Sequence, residues 1–419
     1  MGKESSTNKL KIINDPVYGF IKIPFPEIFD LVQDPRFQRL RRIRQGGLTH
    51  LVYPGANHTR FQHALGAMHL MGQAIEVIRS KGHPITDEEA LAVTMAILLH
   101  DMGHGPFSHS LEYSLVKGIE HEEISLMFME AFNREWQGGL DMTLAIFRDL
   151  YPKKFLHQLV SSQLDMDRLD YLKRDSYFTG VTEGVVGSDR IIKMLNVLDD
   201  NLVVDEKGIY SIEKFLVARR LMYWQVYLHK TVLSAEQLLV QTLSRARVLR
   251  RSGEPLFATP ALDWFLLRPP DRPVAEDGDV FLEKFALLDD ADILVSAKVW
   301  CDHPDTILRY LSRGLVHRNL FSVELRKAPF PKEQIDSLRR KAAEAFSIPL
   351  NDTEFLVVSD SISNNAYSEA DDRIAIQDKH GRIRDITEAS DMLNMEVLSK
   401  TVRKYFLCYP KNLASPTGK

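Results

Sequence analysis

Leu98-Leu99-His100-Asp101-Met102-Gly103-His104-Gly105-Pro106-Phe107-Ser108-His109 decides how this chain is read. An apolar segment at helical spacing, Ile85–His100, delivers an adjacent histidine–aspartate pair at its C-terminal end. Thr86 with Glu89 three residues on is a capping-box start for that helix. Gly103, Gly105 and Pro106 make its continuation unfavourable. Adjacent helical positions point about 100° apart, so both side chains reach one ion only from a helix edge or end. Imidazole with carboxylate is an ordinary ligand set for Mn, Fe, Zn or Co. His100 alone fits equally well a partner of the helix dipole. Three histidines and an aspartate within ten residues, beside three glycine or proline breaks, favour a site.

Two further segments offer ligands. Arg60-Phe61-Gln62-His63-Ala64-Leu65-Gly66 opens the preceding helix, predicted over Phe61–Arg79, and Gly66 permits close helix approach. Leu164–Asp175 belongs to a helix predicted over Pro152–Tyr177. Within it Asp167, Tyr171 and Asp175 recur every four residues and share one face. Met166, Leu169 and Leu172 are apolar, so the pattern leaves open whether that polar stripe is solvated or faces inward.

The chain has 419 residues, 44% hydrophobic and 26% charged, enough apolar material for a large core and too much for a disordered or fibrous protein. A net charge of −4 argues against bulk electrostatic coating of nucleic acid. Cys301 and Cys408 are too few for a disulfide framework, which points to a reduced, cytoplasmic setting. No signal peptide is evident, and no apolar run approaches the roughly 20 residues that span a bilayer. Short β-like patches at Lys11–Ile13 and Phe20–Ile23, separated by Pro16 and Gly19, read as a small hairpin. A further helix is predicted over Ser211–Arg250. Beyond it, prolines break the pattern, and helical stretches mix with β-rich segments at Phe355–Val358 and Arg373–Ile376. The expected fold is mainly α: an N-terminal tail and hairpin over 1–34, a helical core over 35–250, and a smaller α+β C-terminal lobe over 251–419.

The ordered motifs RFQHALG, LLHDMGHGPFSHSLE and LDMDRLDYLKRD make the chain resemble the HD superfamily of phosphohydrolases. With INDPVYGFI, DPRFQRLRRIRQGGL and VYPGANHTRFQH added, the resemblance is to the deoxynucleoside triphosphate (dNTP) triphosphohydrolases, of the type that joins SAM and HD domains, and to their bacterial relatives. It runs from about Lys11 to Leu325 and becomes faint beyond; a separate SAM domain is not expected.

The resemblance implies that His63, His100, Asp101 and Asp167 hold one divalent ion (Mn, Fe, Zn, Co or Mg), leaving positions for a phosphate oxygen and a water. It implies proton transfer by His104, His109 and His121, with Glu112 as an orienting carboxylate. Arg60, Arg168 and Arg219 match phosphate-contacting positions, although Arg168 stands where a lysine is usual; arginine's fork suits phosphate equally. Gln45, Tyr171, Asp175 and Tyr227 match a deoxyribose pocket, in which an aromatic ring against C2′ excludes a 2′-hydroxyl. The implied reaction is hydrolysis of a dNTP at the α-phosphorus.

Arg36, Arg39, Arg41, Arg42 and Arg44 crowd nine residues with Phe37, Leu40 and Ile43. An anion site and a solvated amphipathic helix fit this pattern equally. In the resembling enzymes the region binds an activating nucleotide between subunits, and Asn14, Gln38 and Arg41 match. Gln33, or its neighbour Asp34, stands where the guanine-reading aspartate is expected, a departure that bears on guanine-specific activation. A homo-oligomer, dimer or tetramer, is the expected assembly. Few aromatics interleave the arginines, so single-stranded nucleic acid is a poorer partner. The competing readings are an HD phosphohydrolase acting on nucleoside monophosphates or cyclic nucleotides, and a nucleotide- or nucleic-acid-binding regulator.

Overall fold

A computed structural model of the chain describes residues 11–107, 115–116, 118–268, 278–364, 367, 373–391 and 400–413. The fold is mainly α with a smaller C-terminal region of short sheets. A hairpin of β1 (Ile12–Asp15) and β2 (Gly19–Lys22) opens it, turning at Gly19, whose φ of 77° suits glycine. The helices that build the site are α1 (Arg60–Ser80), α2 (Asp87–Leu99), α3 (His121–Glu135), α4 (Met166–Thr179), α5 (Ile209–Met222) and α6 (Lys230–Arg251).

Helix α2 is buried at every position from Ala92 to Leu99, as its all-round apolar sequence requires of a central helix. Thr86 caps it by accepting from the Glu89 backbone N–H at 3.1 Å, while Glu89 accepts from the Thr86 N–H at 2.8 Å, the expected capping box. Helix α1 lies against both α2 and α4. Gly66 is essential to the second contact, because a Cβ there would strike the side chains of Asp170 and Arg174.

Several expected elements are divided. The helix predicted over Pro152–Tyr177 is two, Lys154–Val160 and α4, because the Asp165 carboxylate caps a new start by accepting from the Ser162 and Arg168 backbone N–H groups. The helix predicted over Ser211–Arg250 is α5, a π turn at Tyr223–Tyr227 and α6, with His229 capping the last. Spacing of three in the arginine-rich stretch reflects a 3₁₀ turn, Arg39–Arg42, following the short helix Pro35–Gln38, and Phe37, Leu40 and Ile43 are all buried. Phe355–Val358 is mostly a turn leading into a strand.

A hairpin, β3 (Leu195–Leu198) and β4 (Asn201–Asp205), lies between α4 and α5. In the C-terminal region β5 (Ser322–Arg326), β6 (Val358–Asn364), β7 (Ala375–Gln377), β8 (Ile383–Asp385) and β9 (Val402–Tyr409) complete two sheets. One has the order β5-β9-β6; in the other, β7 pairs parallel with β4 to give β3-β4-β7-β8. One buried cluster runs from Ile21 through the helices to Ile376 and Phe406. A helix, α7 (Asp290–Trp300), returns the chain from the C-terminal side to the back of the site. Among the described residues, no helix is long and apolar enough to cross a membrane.

Candidate active site

His63 comes from the first turn of α1, His100 and Asp101 from the end of α2, and Asp167 from the first turn of α4. His63 Nε2 lies 3.0 Å from Asp167 Oδ1 and 3.6 Å from Asp101 Oδ2. His100 Nε2 lies 3.4 Å from Asp101 Oδ1 and 3.5 Å from Asp167 Oδ1. The other ring nitrogens are committed elsewhere: His63 Nδ1 to Asp170 at 2.7 Å and His100 Nδ1 to the Ile97 carbonyl at 2.6 Å. Both Nε2 atoms are thus aimed at the carboxylates, buried and without a satisfying hydrogen bond. His63, His100 and Asp101 bring one ligand atom each close enough together to hold a metal ion, and Asp167 Oδ1 faces both imidazoles. Burial works against charging His63, yet Asp167 and Asp170 lift its pKa to about 10. Burial would raise the Asp101 carboxyl, but Arg60, His104 and His100 hold it well below the ordinary range.

His104 Nδ1 lies 3.1 Å from Asp101 Oδ1, and the His104 and His121 rings are 3.8 Å apart. Helix α3 brings His121 there because Gly103 has no side chain: a Cβ would strike the His121 carbonyl. Ser125 locks the approach, donating to His100 O at 2.6 Å and accepting from the Gly103 N–H at 2.8 Å. Burial, then Arg60, hold His104 well below its ordinary pKa. His109 and Glu112 lie outside the described residues. Asp101, His104 and His121 form a second group whose ligand atoms lie close enough together to hold a metal ion, sharing Asp101 with the first.

The arginines of the expected phosphate site are buried or half-buried. Arg60 donates to Asp101, Arg168 to Asp165, and Arg219 to Gln163 at 3.0 Å. Nε of Arg168 and of Arg219 is buried without a partner. Tyr171 faces both: burial and Tyr223 raise its pKa, while Arg219 and Arg168 act the other way. Asp175 accepts from Tyr227 Oη at 2.6 Å and meets His58 Nε2 at 2.6 Å. The π turn places Tyr227 6.3 Å from the Tyr171 ring. The Asp167–Tyr171–Asp175 stripe therefore faces inward, the alternative the sequence pattern left open. Gln45 is on the strand-like segment beside His58, its N–H donating to His58 O at 3.0 Å.

Three of the five arginines in the stretch 36–44 have acidic partners. Arg36 pairs with Asp34 and Glu135, Arg42 with Asp289, and Arg44 with Asp290. Arg39 is fully buried, donating to the carbonyls of Leu288, Met102 and His104. Arg41 is exposed, stacked over Phe61 and bonded to Gln38 at 2.7 Å. Asn14 is exposed on β1. Sequence reasoning missed His58, Asp170, Arg174 and Arg39; the Asp170–Arg174 pair, four residues apart in the LDMDRLDYLKRD motif, was the one available signal.

Residues 60–174 match the HD domain family, and residues 186–251 match the HD associated region. The chain belongs to the HD-domain phosphohydrolases. It is similar to a phosphohydrolase from Bacteroides thetaiotaomicron, whose crystal structure agrees with a TM-score of 0.92 at 55% identity over 96% of this chain and 100% of that one. It is 32% identical to the Uncharacterized protein YwfO of Bacillus subtilis, over 96% of this chain and 93% of that protein. The Deoxynucleoside triphosphate triphosphohydrolase SAMHD1 homolog of Dictyostelium discoideum is 33% identical over 58% of this chain, which spans 50% of that relative's length.

Proposed function

We propose that this chain is a metal-dependent dNTP triphosphohydrolase that releases deoxynucleoside and intact triphosphate. The observation that carries this reading is the inward stripe of α4. It begins at Asp167 against His63, passes Tyr171, whose ring lies 6.5 Å from that of His63 and 6.3 Å from that of Tyr227, and ends at Asp175 with Tyr227 and His58. Asp167, Tyr171 and Asp175 thus give one helix a candidate metal ligand at one end and a hydrogen-bonded polar group, Asp175 with Tyr227 and His58, at the other, which supports a substrate laid along it. The likeness to a relative named as a dNTP triphosphohydrolase supports the same substrate class.

A divalent ion held by His63, His100, Asp101 and Asp167 would polarise the phosphoryl group and make water a better nucleophile near neutral pH. Arg60, Arg168 and Arg219 hold the triphosphate, the last two with Nε–H donors to offer its oxygens. Tyr171 packs against the sugar and excludes a 2′-hydroxyl, while Asp175 and Gln45 hold its 3′-hydroxyl. His104 and His121 move protons at the phosphorus, and His109 is the candidate to protonate the leaving 5′-oxygen. The same reading takes the enzyme as a cytoplasmic homo-oligomer, dimer or tetramer, consistent with two buried free cysteines; sedimentation tests the assembly.

Purified protein incubated with each dNTP, singly and mixed, with Mn²⁺ or Mg²⁺, should yield deoxynucleoside and triphosphate by chromatography. Orthophosphate or pyrophosphate as the first product would sink the reading, and turnover confined to monophosphates or cyclic nucleotides would replace it. Asp167→Ala should lose bound metal and turnover together; full turnover in that variant refutes the ligand assignment.

A further inference from the structure

Behind His63 lies a buried chain of charges that reaches the N-terminal hairpin. Asp170 Oδ2 meets His63 Nδ1 at 2.7 Å. Arg174 grips both oxygens of Asp170, Nε to Oδ2 at 2.9 Å and a terminal nitrogen to Oδ1 at 3.0 Å. The other terminal nitrogen of Arg174 donates to Asp15 Oδ2 at 2.7 Å. Asp170, Arg174 and His63 have no exposed surface, and Asp15 is 7% exposed. Asp15 also shapes the hairpin turn, because its Oδ1 accepts from the Val17 and Tyr18 N–H groups.

From this geometry we infer that Asp170, Arg174 and Asp15 are positioning residues for the metal centre, so that the β1–β2 hairpin belongs to its outer sphere. The inference rests on His63 being a metal ligand, as proposed above. A carboxylate on Nδ1 fixes the tautomer that presents a bare Nε2 and makes it a stronger ligand. Arg174 keeps Asp170 oriented through its two hydrogen bonds, and Asp15 keeps Arg174 from swinging away. Gly66 leaves the space in which this relay crosses α1.

The experiment measures Mn²⁺ and Co²⁺ affinity of the full chain by competition with a chelator, together with the Co²⁺ absorption spectrum and apo-protein melting. Wild type should bind and His63→Ala should not. Asp170→Asn should weaken binding about 10- to 100-fold and shift the Co²⁺ spectrum, and Asp15→Asn about 3- to 10-fold. The amide of Asp15→Asn retains an acceptor for the hairpin turn, so this variant carries the test if Asp170→Asn fails to fold. Asp305→Asn, which breaks the Arg245 pair away from the site, should melt lower with unchanged affinity and spectrum. Wild-type affinity and spectrum in a folded Asp170→Asn or Asp15→Asn overturn the inference while leaving His63 a ligand. Absence of metal binding by wild type, or binding retained in His63→Ala, overturns the ligand reading and this inference with it.

Discussion

Asp290 is a carboxylate placed where ionisation is unfavourable. It accepts from the Phe107 N–H at 3.0 Å and the Arg44 N–H at 3.1 Å, so it fastens the end of the loop that carries His104. Phe107 has a φ of 56°, a left-handed conformation that such an anchor helps to hold. Burial pushes the Asp290 pKa up to about 6, against its backbone donors. A folded pKa above the unfolded value of about 3.9 contributes stability below pH ~4 and loses it as pH rises through ~6. Two pH units correspond to roughly 3 kcal/mol. Denaturation from pH 4 to 7 should show wild type losing stability relative to Asp290→Asn over that window. Parallel curves for the two proteins would remove the pKa assignment. At this scale His63, His100, Asp101 and Asp167 were legible because their motifs have a fixed order. His58 and Arg39 were not, because nothing local marks a partner more than a hundred residues away.

Among the elements, α1 shows how one helix answers two demands. Gly66 and Gly72 read alike in sequence, yet a Cβ at Gly66 would collide with Asp170 and Arg174, while none of the surroundings obstructs one at Gly72. Gly72→Ala should stabilise the protein by about 0.5–1 kcal/mol, the helix-propensity gain of alanine. Gly66→Ala should destabilise it by several-fold more and lower metal affinity, since the relay must move. Urea midpoints and metal content check both, and equal effects at the two positions would contradict the crossing geometry. The period of apolar residues gave α1 and α2 to within two residues. It could not show the breaks at Ser161–Asp165 and Leu228–His229, where caps rather than apolar spacing decide.

For the whole molecule, Arg39 is the joint. Its guanidinium gathers the carbonyls of Met102 and His104 with that of Leu288, far along the chain, and lies 4.6 Å from the Phe285 ring. Arg39→Met should cost about 3 kcal/mol or more, because it strands buried acceptors. It should also depress turnover more than metal binding, since His104 loses its support before the ligands do. Denaturation, kinetics and metal content together read this; an unaffected kcat would separate the joint from the chemistry. The parallel pairing of β7 with β4 likewise ties the C-terminal region to the helical one.

By itself the sequence determined the family and the helices that carry its motifs. Ligand types, their order and apolar periodicity are local properties, written within a few turns of chain. Tertiary structure alone decided where the charges go. It sent one arginine of a basic cluster into the core and three of its neighbours to acidic partners, and it turned the α4 stripe inward. It also set Asp15 behind His63, which lies 48 positions further along the chain. Burial and pairing of charge depend on which surfaces meet, and that is fixed only when the helices pack.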